Sequence, residues 1–204
     1  LERFKPINSN LAREMMGLPK DKKLILFGAI NSLGISRKGS HLLVPALQQL
    51  SQWTDSDTTE LVIFGASEPK SPLKFGFKTH YLGKFNDEVS LVLLYSAVDV
   101  FVAPSTEDNL PCTIMESLAC GTPVVAFKVG GIPELIEHQY NGYLANPFET
   151  EDLAKGILWI LRHFHLDTKL SLQSREIVEK KFTLEKQVKS YLRLWTKIEV
   201  NETN

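Results

Sequence analysis

The sequence predicts an α/β fold, a Rossmann-like parallel sheet of about six strands with helices on both faces. Short β-rich runs alternate with longer amphipathic runs, the pattern of a parallel sheet wrapped by helices. The strand runs are also mostly apolar at every position, as strands covered on both sides are. At 204 residues, 43% hydrophobic and 23% charged, the chain can bury one core of its own and reads as a single domain over 1–204.

Residues 1–20 read as a partly helical lead-in without strand character, and the first residue is Leu1 rather than Met. We therefore expect a piece of a longer protein, with 1–22 leading in from an N-terminal domain that is not part of this sequence. Candidate strands follow at 24–30, 60–65, 78–82, 98–104, 122–127 and 142–145, each a short run of apolar and β-branched residues. Between them, 40–53, 87–96, 111–119, 133–137 and 149–163 carry apolar residues at helical spacing. Pro45 conflicts with the first of these helices, since a mid-helix proline should kink it or displace its start. Beyond the sixth strand no strand signal remains, and 165–204 reads as terminal helices.

Composition excludes several classes. With 23 Lys and Arg against 24 Asp and Glu the formal charge is -1, and no dense basic stretch suits a nucleic acid. No apolar run reaches the roughly 20 residues that cross a bilayer, nor does the start resemble a signal peptide. A soluble, cytoplasmic protein is expected, with room for peripheral membrane contact in the full-length chain. Cys112 and Cys120 fit buried free thiols in a reducing compartment, since no second pair makes a zinc site. His41, His80, His138, His163 and His165 have no ligand spacing with acidic partners, and His163 and His165 fall on opposite helix faces. No metal or other cofactor is expected. Trp53, Trp159, Phe164 and Trp195 read as core or interdomain packing.

In sheets of this kind ligands sit beyond the carboxyl ends of the strands, where three unusual loops lie. The first, GAINSLGISRKGS, sets Arg37 and Lys38 directly before a helix, where adjacent cations suit a diphosphate or simply solvate a turn. It is neither the G-x-G-x-x-G fingerprint nor a P-loop. The second spans 82–87. The third, PSTEDNLPCTIMESLACGTPVV, gathers carboxylates, an amide and a helix start opened by Pro111. There the free N–H groups of Cys112, Thr113 and Ile114 would form an anion site. Glu116 lies on roughly the same helix face as Cys112 and Thr113. A carboxylate beside a phosphate cradle repels phosphate, so Glu116 is assigned to neighbouring hydroxyls, as on a ribose.

Four segments now occur in order: RKGSHLLVPAL, YLGKFNDEVSLVLLYSAVDVFVAPS, EDNLPCTIMESLACGTPVVAF and VGGIPELIEHQYNGYLANP. With them, residues 24–150 resemble the C-terminal domain of glycosyltransferase family 4, a GT-B-fold family of retaining enzymes. The resemblance implies a retaining hexosyltransferase in which this chain is the donor half. The two acidic residues that flank donor sugar and ribose in that family, with seven positions between them, fall on Asp108 and Glu116. Asp108 stands where the family has Glu. Glu107 offers another register, but only Asp108 keeps both the spacing to Glu116 and the distance from Pro104.

By resemblance, Asp108, Lys38 and Glu116 are the catalytic set, and Asp108 with Asn109, Leu110 and Pro111 holds the donor sugar. Arg37 and Lys38 meet the diphosphate together with the Cys112 and Thr113 amides, Glu116 binds the ribose, and Gly83, Lys84 and Phe85 bind the base edge. The family's arginine after the first-strand glycine is replaced by Ala29, and Arg37 is expected to compensate. Gly130 and Gly131 read as a tight turn or as a donor contact. The expected donor is a nucleotide diphosphate sugar, UDP-hexose such as UDP-glucose favoured, and the expected acceptor a sugar or a lipid-linked one. The rivals are a nucleotide-sugar-binding module without turnover and a GT-B nucleotide-sugar epimerase.

Overall fold

The computed structural model describes residues 1–28, 35–71, 73–163 and 168–202, with side chains described to 196. Ala29, Phe164 and His165 lie outside the described residues. In chain order the elements are α1 (Ser9–Met16), β1 (Lys23–Gly28), a 3₁₀ turn (Ser36–Lys38), α2 (Ser40–Trp53), β2 (Thr59–Phe64), β3 (Lys78–Tyr81), α3 (Glu88–Ala97) and β4 (Val100–Ala103). Then come α4 (Cys112–Ala119), β5 (Val124–Phe127), α5 (Ile132–Leu135), β6 (Gly142–Ala145), α6 (Thr150–His163), α7 (Lys169–Lys181) and α8 (Leu184–Glu202).

The six strands form one sheet in the order β3-β2-β1-β4-β5-β6, every pair parallel. This is the doubly wound order, with its switch point between β1 and β4. Alternation along β1 sorts the two cores. Leu24 and Leu26 face a cluster with Leu94, Tyr95, Ile114, Leu118 and Leu135 from α3, α4 and α5. Ile25 and Phe27 face Leu43, Leu47, Ile157 and Ile160 from α2 and α6. Both faces of the sheet are thus covered, as its apolar strands require.

The edges depart from that pattern. β3 carries exposed or half-buried residues and β6 is half-buried at Tyr143 and Leu144, because each has a neighbour on one side only. The fourth strand is shorter than the expected 98–104: Val98 is the C-cap of α3, and β4 ends before Pro104, which has no N–H to give. α2 starts at Ser40 and continues past Pro45, so the expected displacement of its start does not occur. The missing proline N–H leaves one helical bond unmade. Trp53 and Trp159 pack partly buried against the second cluster, whereas Trp195 is 68% exposed on α8.

The lead-in is tied down by charge. Arg13 of α1 is buried, its Nη2 3.0 Å from both oxygens of the equally buried Asp99. Its Nε donates to the Ala97 carbonyl at 2.7 Å and its Nη1 to those of Lys22 and Lys20 at 2.9 and 3.2 Å. Asp99 also accepts the Leu24 amide at 2.6 Å. One guanidinium therefore joins α1, the entrance of β1 and the α3–β4 corner.

Candidate donor site

At the switch point glycines let the backbone pack closely around the carboxyl ends of β1 and β4. Gly28, with φ 152°, ends β1 against the Phe64 carbonyl of β2, where an added Cβ would stand 2.2 Å away. Gly39, with φ 74°, separates the 3₁₀ turn from α2, and a Cβ there would lie 1.7 Å from the Pro104 carbonyl. The Arg37 carbonyl accepts the Thr106 amide at 2.9 Å. The Arg37–Lys38 turn is thereby fastened to the loop that follows β4.

That loop delivers Asp108 to the two cations. Lys38 Nζ donates to Asp108 Oδ2 at 2.8 Å, with both side chains largely buried, while Arg37 Nη1 lies 3.8 Å from the same oxygen and stays 55% exposed. Lys38 and Thr113 line one small depression above Phe27, Gly28 and Ser105, about 10 Å³ in volume. Sequence positions spread over more than seventy residues thus converge where the sheet changes winding direction.

α4 opens above this point. Pro111 is its N-cap, with φ −67°, rather than its first residue. The Pro111 carbonyl accepts the amides of Ile114 at 3.1 Å and Met115 at 3.4 Å. The Ile114 N–H is therefore taken by the helix and not offered to an anion, contrary to the sequence expectation. The amides of Cys112 and Thr113 make no backbone hydrogen bond among the described residues. Cys112 is exposed, which corrects the reading of both cysteines as buried; only Cys120 is. Burial pushes the Cys120 thiol up to about 12, so it is inert.

Glu116, one turn further along, accepts a hydrogen bond from the Tyr95 hydroxyl at 3.1 Å. Burial raises its pKa, the Tyr95 bond works against that, and the Glu88 charge adds to it. At the outer end of the same sheet edge, Gly83 turns with φ 69° and its carbonyl accepts the Gly65 amide at 2.6 Å, joining the ends of β2 and β3. Lys84 beside it is exposed, and Phe85 packs partly buried on the first core cluster.

Gly130 and Gly131 are more than a tight turn. A Cβ on either would stand 1.9 Å from the Asp108 carbonyl or 1.8 Å from that of Asn109, and the Gly131 amide donates to Asp108 at 3.3 Å. These glycines admit the backbone of the Asp108–Leu110 loop. Among the described residues no group of three or more His, Cys, Asp or Glu side chains gathers to hold a metal.

Comparison with known proteins matches residues 21–163 to the family described as Glycosyl transferases group 1. The chain belongs to this family. A D-inositol 3-phosphate glycosyltransferase of Saccharomonospora viridis is 29% identical over 191 residues, 86% of this chain and 43% of that protein. The group 1 glycosyltransferase chain thus spans less than half of that relative's length. Sucrose-phosphate synthase from Thermosynechococcus elongatus superposes with a TM-score of 0.78 at 26% identity, covering 98% of this chain and 51% of that one. Anabaena HepE, solved with UDP and glucose, matches with a TM-score of 0.73 at 22% identity over 94% of this chain and 54% of its own, a likeness of fold. The sheet and its GT-B character stand as expected from the sequence.

Sequence reasoning missed Tyr95, which sits within the second of the four quoted segments but on an apolar helix that gives its hydroxyl no local signal, and the packing of Gly39 and Gly131 against loop backbone. The lone Gly39 after Arg37 and Lys38 and the Gly130–Gly131 pair were the available signal.

Proposed function

We propose that the chain is the donor-binding half of a retaining hexosyltransferase, holding a nucleotide diphosphate hexose, UDP-glucose favoured, for transfer to a sugar or lipid-linked acceptor. The observation that carries this reading is the convergence of Lys38 and Arg37 on Asp108 at the mouth of α4. Two cations and two amides at a helix start suit a diphosphate. A carboxylate within 2.8 Å of the same lysine suits sugar hydroxyls, which donate hydrogen bonds where phosphate cannot. The UDP-hexose assignment also agrees with the ligands of Anabaena HepE.

In this reading Asp108 and the backbone of Asn109, Leu110 and Pro111 hold the hexose, Glu116 the ribose, and Gly83, Lys84 and Phe85 the base edge. The bond from the anomeric carbon to the diphosphate oxygen breaks as the acceptor oxygen bonds that carbon, and the acceptor proton leaves with the nucleoside diphosphate. Lys38, Arg37 and the α4 amides stabilise the leaving charge without a divalent cation. The acceptor is placed by a separate N-terminal domain of the longer protein, and α8 fits a surface for it. Leu184, Val188, Tyr191 and Leu192 on that helix are 47 to 75% exposed.

Calorimetric titration of the chain with UDP, GDP and ADP, with and without chelator, tests the assignment. UDP should bind most tightly and chelator should leave its affinity unchanged. Loss of binding in chelator would overturn the metal-free reading, and absence of nucleotide binding would overturn the donor site. Transfer and donor hydrolysis by the longer protein separate a transferase from a binding module, and recovery of an epimerised donor would mark an epimerase.

A further inference from the structure

We propose that Tyr95 is a positioning residue that aims the Glu116 carboxylate at the donor's ribose, an inference resting on the reading of Glu116 as the ribose-binding group. Tyr95 is fully buried, its ring set edge-on to Phe64 and Phe101 with centroids 6.2 and 5.8 Å away. Phenylalanine would fill that space equally well. A buried hydroxyl costs free energy unless it is bonded, and the bond this one makes is to Glu116 Oε2 at 3.1 Å. No hydrogen bond to Oε1 exists among the described residues, which leaves that oxygen as the acceptor for a hydroxyl arriving from the site.

The backbone around the tyrosine is fixed to the same helix. The Tyr95 carbonyl accepts the Thr122 hydroxyl at 2.6 Å, and the Thr122 carbonyl accepts the hydroxyl of Ser117, the residue after Glu116, at 3.0 Å. Thr122 and Ser117 are both buried. Hydroxyl and carbonyl of one residue on α3 are therefore both referenced to α4, so the phenol cannot shift relative to the carboxylate without breaking buried bonds. The contact also holds down the Glu116 pKa against the effect of burial and of Glu88 from α3. It favours the ionised form, which accepts hydrogen bonds from both hydroxyls of a ribose diol.

The test compares the affinity of the chain for UDP and for 2′,3′-dideoxy-UDP, the guanosine pair being used if GDP proves the better ligand. Their ratio isolates the diol from base and diphosphate. Tyr95→Phe should cut that ratio by about five- to tenfold, through the weaker binding of UDP alone, the size of one ordinary hydrogen bond, since the tyrosine acts on the ribose only through Glu116. Glu116→Gln should collapse it further. Phe101→Leu, which loosens the ring packing but spares the hydroxyl, should lower the melting temperature and keep the ratio. A wild-type ratio in Tyr95→Phe, with collapse in Glu116→Gln, overturns the positioning role and leaves the ribose reading standing. An unchanged ratio in Glu116→Gln overturns the ribose reading itself. A Tyr95→Phe chain that does not fold shows the hydroxyl to be structural and also overturns the proposal.

Discussion

Lys38 and Arg37 are adjacent in sequence and unequal in the fold. The Lys38 side chain is 17% exposed and 2.8 Å from Asp108, while Arg37 reaches the same oxygen at 3.8 Å from a side chain 55% exposed. A desolvated charge interacts more strongly and is screened less by salt. Lys38→Ala should weaken nucleoside diphosphate binding by about 1.5–3 kcal/mol, since it also leaves Asp108 unpaired beside the phosphates. Arg37→Ala should cost below about 1 kcal/mol, as exposed pairs do. Titration of UDP and uridine against both variants checks the order, and an equal loss in the two would restore the compensation for Ala29 expected from sequence. Glu116 makes a different prediction, about stability. Its pKa is raised in the fold, so its protonated form stabilises the native state below the unfolded pKa, and that contribution is lost as pH rises through the folded value. Glu116→Gln should therefore raise the melting temperature at neutral pH and lose that advantage in acid. Melting curves recorded across this range would show an advantage independent of pH if Glu116 were not held against its ionisation.

At the scale of elements, glycines seat the Asp108–Leu110 loop from two sides: Gly39 against Pro104 before it, Gly131 against Asn109 behind it. Gly131 has no left-handed φ, so alanine there acts by sterics alone. Gly131→Ala should push the loop out of place, bringing the affinity for UDP-glucose down to that for UDP with little change in the latter, a difference calorimetry reads directly. Sequence patterning reached the elements themselves. Ser40–Trp53 and Gly142–Ala145 have the bounds that apolar spacing implies, because a helix or strand with a buried face writes its period into adjacent residues. It singled out Lys38 and Glu116 through their neighbours, while Asp108, which the structure brings within 2.8 Å of Lys38, came from the family resemblance alone. It could not reach what pairs across the fold. The edge exposure of β3 depends on strand order, the engagement of the Ile114 amide on where Pro111 sits in the cap, and the Tyr95 bond on two helices, before and after β4 in the chain, meeting on one face of the sheet. None of these leaves a local pattern.

For the whole molecule, the switch point holds Lys38 and Asp108 at the carboxyl ends of the strands, and α1 is tied to the opposite end, where β1 begins. Among the described residues no helix is long and apolar enough to cross a membrane. The lead-in is joined to the sheet by the Arg13–Asp99 pair, whose side chains are 6% and 4% exposed. A buried pair contributes little beyond what apolar packing would, yet removing one partner strands the other charge. Arg13→Met should therefore lower unfolding stability by about 3–5 kcal/mol, measured from urea midpoints at constant slope. The cause can be separated from loss of the three carbonyl bonds. Adding Asp99→Asn removes the stranded charge, while the amide oxygen still accepts the Leu24 N–H, so the double variant should recover part of the loss. If the double variant were no more stable than Arg13→Met, the bonds to Ala97, Lys20 and Lys22 would be the larger contribution, and Arg13 would act as a cap on the end of α3 and the turn before β1 rather than as a counter-ion.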